Sequence, residues 1–249
     1  MKEIRISAVS YLNTLPFVYG IKNSGLLEGF RLMLDVPSEC SRKFHSGEAD
    51  IALVPVAGLY QTNSFRLLPD FCIGSNKRVK TVGLFSRTPL PEIKRIYLDN
   101  HSLTSAILAK IFARYHWKIN PEWNELNTNE ATGRASVESL VAIGDKTFPL
   151  FREYKHIYDF AEEWKTLTGL PAVFACWVAH KDIEEEKISL FTKALHWGVE
   201  NKIKACKTFK SNLLTQIELI NYLSNNIDFN FDEGKQQSFR LFHEYMSKL

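Results

Sequence analysis

The chain has 249 residues, 45% of them apolar and 12% aromatic, enough to bury one large domain or two lobes of ordinary size. Its formal net charge is only +3, and no Lys/Arg cluster is interleaved with aromatics, so the composition speaks against a nucleic-acid partner and suits a small anionic ligand. Cys40, Cys72, Cys176 and Cys206 lack metal-site spacing, no signal-peptide pattern opens the chain, and no apolar run reaches membrane-spanning length; the expectation is a reduced, cytoplasmic protein with no membrane role.

Residues 2–9 alternate as a strand, with Ile4, Ile6 and Ala8 on one face and Arg5 and Ser7 on the other. The polar loop that follows holds Ser10, Asn13 and Thr14, at the carboxyl end of a first strand, where open α/β sheets place ligands. Ser10 or Thr14 suits the cap of the next helix, and Pro16 is tolerated in its first turn. Asn13 by itself is equally a turn residue. A strand over 30–36, a helix over 38–45 capped by Ser38, and a nearly continuous apolar strand over 49–56 complete a β-α-β-α-β opening.

Further strands are expected over 65–68 and 80–85, the second closed by Ser86. Another α/β unit starts with a strand over 95–98 and a helix over 104–115, whose amino end gathers the hydroxyls of Ser102, Thr104 and Ser105. Three hydroxyls beside free helix N–H groups form a carboxylate cradle, although Ser102 alone also suffices as a simple cap. Residues 122–127 read as a strand, 129–140 as a short helix, and 141–145 as an apolar strand ending at Gly144-Asp145. Gly144 lets a ligand approach the backbone, and Asp145 is a cap, a polar orienter or a turn residue. Residues 158–164 read as helix or turn, 172–179 as an apolar strand, and the chain from 182 onward as helices.

No G-x-G-x-x-G, P-loop, H-E-x-x-H or nucleophile elbow is present, and His101 is the single histidine in a candidate ligand loop. The residues alone therefore lead to an α/β protein whose polar strand ends bind a small anion without a cofactor. It is either a binding module or an unusual enzyme.

Val9-Ser10-Tyr11-Leu12-Asn13-Thr14-Leu15-Pro16 resembles the opening signature of the chorismate dehydratase family, which acts first in the futalosine route to menaquinone. Segments 49–55, 68–73, 84–86, 98–99 with 102–105, 143–145, and 163–164 with 168–175 are similar to the family in order and spacing, although Leu103 stands where members often carry Arg. The resemblance implies an α/β, two-lobed, type II periplasmic-binding-protein-like fold, each lobe a mixed sheet flanked by helices, with the ligand cleft between lobes. Residues 1–86 plus 178–249 are then expected to form one lobe and 87–177 the other. It also implies a hydro-lyase that takes chorismate as its small-molecule partner and uses the substrate's own side-chain carboxylate as base. Asn13 and Ser86 match the positions that hold the departing hydroxyl, with Ser10, Ser102, Thr104, Ser105, Gly144 and Asp145 expected to bind substrate. The rival reading is a dicarboxylate-binding protein of the same fold without turnover.

Overall fold

The computed structural model describes residues 3–60, 65–99, 102–126 and 137–249. The opening alternation forms β1 (Ile4–Val9), followed by a 3-10 turn at Leu12–Thr14 and by α1 (Leu15–Asn23) with Pro16 in its first turn. β2 (Phe30–Asp35), α2 (Pro37–His45) and β3 (Ile51–Pro55) follow, and β1 pairs in parallel with both β2 and β3. The α2 cap position is Val36, without a side-chain bond, so Ser38 lies inside the first turn rather than capping it.

β4 (Phe65–Ser75) is longer than its apolar run because it pairs antiparallel with β10 (Ala172–His180) from Phe65 opposite His180 to Ser75 opposite Ala172. β5 (Val82–Ser86), β6 (Arg95–Asp99), β7 (Glu122–Leu126), β8 (Ser139–Ile143) and β9 (His156–Asp159) make the second sheet. Between them run α3 (Leu103–Ile111), continued by a π-helical turn to Trp117, and α4 (Thr147–Glu153); α5 (Phe160–Thr168) follows β9. The expected helix over 129–140 is overturned at its end, where Ser139 and Leu140 begin β8, and 127–136 lie outside the described residues. The helical tail comprises α6 (Glu185–Glu200), α7 (Lys202–Thr208), α8 (Gln216–Asn225) and α9 (Glu233–Met246), with a short strand β11 (Asp228–Asn230) between the last two.

One mixed sheet has the order β11-β4-β10-β3-β1-β2 and the other β7-β6-β8-β5-β9. The chain crosses between them at 76–81 and returns through 160–171. β5 belongs to the second sheet by its antiparallel pairing with β8 and β9, and all of β10 belongs to the first. On that pairing we place the lobe boundaries in the two crossing segments instead of at 86 and 177.

The first lobe's core gathers Phe17, Trp177, Phe191 and Phe229, with Phe17 edge-on to Trp177 at 5.7 Å and to Phe229 at 5.2 Å. Lys235 is fully buried, and its ammonium donates to Asp228 (2.8 Å) and Asp232 (2.5 Å), tying α9 to β11. α1 and α6 touch backbone to backbone: a Cβ on Gly198 would lie 2.2 Å from the Pro16 carbonyl oxygen and 2.8 Å from the Gly20 Cα. Because neither partner atom can swing away, Gly198→Ala forces the helices apart. It is expected to destabilise the fold by about 1–3 kcal/mol, read as a lower Tm, despite alanine's better helix propensity.

Candidate active site

β1 and β3 are parallel in one sheet, as are β6 and β8 in the other, and the loops at their carboxyl ends meet between the lobes. A cavity of about 50 Å³ lies at this junction, bordered by Val9 and Asn13 from the first loop, Pro55 from β3, Ser102 and Ser105 from α3, and Gly144 after β8. This is the crevice in which open α/β sheets hold ligands. No Asp, Glu, His, Lys or Arg is among the described residues that line it. Asn100 and His101 lie outside the described residues.

Asn13 sits in the middle of the 3-10 turn, and its Oδ1 is buried without a hydrogen-bond partner. Buried polar atoms are almost always satisfied, so an orphan acceptor on a residue that lines a cavity marks a place for a ligand's donor. Its neighbour Thr14 serves the protein instead: the hydroxyl donates to the Val9 carbonyl (2.5 Å) or the Tyr11 carbonyl (2.7 Å), which shapes the turn that carries Asn13.

The three hydroxyls at the start of α3 are all buried, and all border the cavity. Ser102 is the cap: its Oγ accepts the Ser105 N–H at 3.2 Å and donates to the Ser105 Oγ at 2.8 Å. The first-turn N–H groups of a helix have no intrahelical acceptor, so this end favours an anion. Thr104 is already engaged, its Oγ1 accepting the Ala57 N–H from the other lobe at 3.2 Å.

Two further contacts bridge the lobes beside it. Both carboxylate oxygens of Asp145 face the Leu12 N–H, at 3.0 and 3.1 Å, so Asp145 orients the turn that holds Asn13 and does not line the cavity. Burial raises the Asp145 carboxyl from its ordinary value to about 6, with the Leu12 N–H acting in the opposite direction. Gly144 has φ +70°, and a Cβ there would lie 2.6 Å from the Tyr11 ring. Glycine is thus required twice over at the one point where an aromatic ring closes on the second lobe's backbone. The cavity holds a few waters at most and is far below the roughly 300–1,000 Å³ of small-molecule pockets. Ligand entry therefore requires these bridging contacts to part.

Two expected residues are not brought here. Ser10 is exposed and turned away, because the cavity side of the strand end is taken by Val9 and Tyr11 on either side of it. Ser86 is fully buried at the far end of β5, its Oγ 2.7 Å from the Thr88 carbonyl and 2.8 Å from the Ser139 Oγ. The reason is strand direction. β5 runs antiparallel to β8, with Val82 opposite Ile143 and Ser86 opposite Ser139, so the start of β5 meets the cavity and its end lies roughly 13 Å away. At the start of β5 the hydroxyl-bearing residue that lines the cavity is Thr81, its Oγ1 2.7 Å from the Tyr222 hydroxyl. Its signal in the sequence was a threonine immediately before an apolar run, which gains meaning only once the strand's direction is known. Ser86→Ala is accordingly expected to leave turnover within about twofold while costing about 1 kcal/mol of stability through the lost bond to Ser139, read by kinetics and a thermal melt.

Two mixed α/β lobes with a cavity between them, among whose described lining residues none is charged, define a protein of periplasmic-binding-protein-like fold. Its solved relatives in fold include protein AF1704 from Archaeoglobus fulgidus (TM-score 0.75, 14% identity, 98% of this chain and 97% of that one). Another is the Candida albicans CA3427 gene product, described as having the generic periplasmic binding protein fold (TM-score 0.69, 12% identity, 100% and 91%). Within that fold class the chain belongs to the menaquinone biosynthesis family, whose model matches residues 4–248. It is 29% identical over 200 residues to a chorismate dehydratase from Thermus thermophilus, covering 73% of this chain and 72% of that protein. Among the described residues no helix is long and apolar enough to cross a membrane.

Proposed function

We propose that this protein is a hydro-lyase that removes water from chorismate to give 3-[(1-carboxyvinyl)oxy]benzoate, the entry step of the futalosine route to menaquinone. The observation that carries the reading is the orphan amide oxygen of Asn13, a residue that lines the same cavity as the hydroxyl-bearing start of α3. The chorismate dehydratase similarity supports it.

In the reaction the ring C–O bond to the hydroxyl breaks, the neighbouring ring hydrogen leaves as a proton, and its bonding electrons join the aromatic ring; proton and hydroxide make the water. The ring carboxylate activates that hydrogen through the conjugated double bond, so negative charge grows on this carboxylate in the transition state. The Ser105 hydroxyl, held in place by the Ser102 hydroxyl that donates to it, and the first-turn N–H groups of α3 that Ser102 does not cap are the fixed donors suited to receive it. Asn13 offers an acceptor and two donors on one planar group, able to hold the ring hydroxyl and then donate to it as it departs. Thr81 takes the part expected of Ser86. Proton removal falls to the substrate's own side-chain carboxylate, the base that the family resemblance implies. Lobe closure brings that base and the ring hydrogen into reach and expels water.

The absence of a carboxylate or imidazole among the described lining residues fits the reading as a binder without turnover as well. Mixing the purified protein with chorismate and following ultraviolet absorbance and product mass separates the two. Loss of one water with an aromatic product establishes the dehydratase. Intact chorismate together with a raised Tm leaves the binder.

A further inference from the structure

A second cavity, of about 510 Å³, lies where residues 78–80 cross between the sheets, with α4 on one side and α8 on the other. α4 is anchored in the second lobe, where Leu150 packs with Phe85 and Leu140, whereas α8 packs on β11 of the first sheet. Phe148 of α4 meets Tyr222 of α8 edge-on at 5.3 Å, so aromatic walls from both lobes line this cavity.

Three cations border it, Arg78, Lys80 and Arg152, against one carboxylate, Glu218. Arg78 is committed elsewhere: it lies 3.8 Å from both Asp159 and Glu162, and its guanidinium sits 5.5 Å from the Phe151 ring centre. Glu218 is committed too, accepting the Thr215 N–H at 2.8 Å and the Thr215 hydroxyl at 2.7 Å. Those bonds hold its carboxyl below the ordinary range, and Arg152 and Lys80 lower it further. The side chains of Lys80 and Arg152 have no hydrogen bond or ion pair with any other described residue. Lys80 is fixed at φ +66°, its N–H donating to Asp159 at 2.7 Å.

We propose that this cavity is a binding site for a small amphipathic anion, an aromatic or branched apolar body bearing one carboxylate, sulfonate or phosphate. The rings of Phe148, Phe151 and Tyr222 take the apolar body, and Lys80 with Arg152 take the charge. Inorganic phosphate satisfies the cations but leaves the rings unused, and a neutral aromatic does the reverse. An occupant touches both lobes at their crossing point, so it stabilises this arrangement of them.

The probe is 8-anilinonaphthalene-1-sulfonate, titrated into the intact protein at low salt and followed by fluorescence. One saturable site is expected, with a Kd that rises at least tenfold in Arg152→Glu and in Lys80→Glu, by a smaller factor in Arg152→Gln, and with added salt in the unaltered protein. Asn13→Ala leaves it unchanged, and the uncharged N-phenyl-1-naphthylamine binds at least tenfold more weakly. Lys80 and Arg152 are exposed, and thermal melts confirm that the variants fold. The proposal is overturned by the absence of saturable binding, by a Kd within twofold in both charge reversals, by equal binding of the neutral amine, or by loss of binding in Asn13→Ala, which would move the dye to the central cavity.

Discussion

Replacing Asn13 with alanine is expected to lower kcat for chorismate by roughly 10²–10³ while leaving Tm unchanged or slightly raised. The two halves of this result come from one atom. The Asn13 Oδ1 is buried with no protein partner, so the folded chain bears its desolvation without a compensating bond, and deleting it removes a cost. The same amide is the only carboxamide side chain among the described lining residues of the cavity, and its loss removes the group proposed to hold the departing hydroxyl. A residue kept at some expense of stability for its ligand contact behaves in this way. Kinetics by ultraviolet absorbance and a thermal melt of the same preparation check it. A variant with near-normal turnover removes Asn13 from the mechanism, and one that loses activity only because it melts early makes it structural.

The first loop was legible because several local signals agree there. Strand alternation ends at Val9, a polar stretch follows, and Pro16 marks a helix start; the structure forms β1, a turn and α1 in that order. The hydroxyl cluster at Ser102, Thr104 and Ser105 was legible for the same reason, since a helix period and its cap can be read from a dozen consecutive residues. The choice between Ser86 and Thr81 could not be made this way. It depends on β5 running against β8, and that direction follows from pairing with Leu140 to Ile143 and with Ile157 to Asp159, contacts made by residues more than fifty positions away. β9 and β11 were missed on similar grounds: each is short, and each is a strand because a neighbour offers a free edge. Asp145 was open among three roles in the sequence, and only the approach of Leu12, 133 positions earlier, decides among them.

Asp145 separates into a charge effect and a positioning effect, and two substitutions tell them apart. Its carboxyl is raised from 3.8 to about 6 by burial, so the ionised form is the one the fold disfavours. The penalty is absent below about pH 4, where the group is protonated folded or unfolded, grows between 4 and 6, and is fully present above 6. Asp145→Asn keeps an oxygen for the Leu12 N–H and removes the charge. It is expected to be more stable than the unaltered protein at pH 7–8, by about 1–2 kcal/mol, with the gain shrinking to nothing as pH falls from 6 to 4. Asp159, also raised to about 6 by burial, titrates in both proteins and cancels in the difference. Asp145→Ala behaves differently, because the Leu12 N–H loses its acceptor and the turn carrying Asn13 loses its tie to the second lobe. Its kcat is expected to fall by about 10–10² with no matching gain in stability, a loss that Asp145→Asn largely avoids. Stability curves and kcat measured at pH 4.5, 6 and 8 test both halves. Equal kcat in the alanine and asparagine variants sinks the positioning role, and an asparagine variant whose stability gain does not change with pH sinks the charge effect.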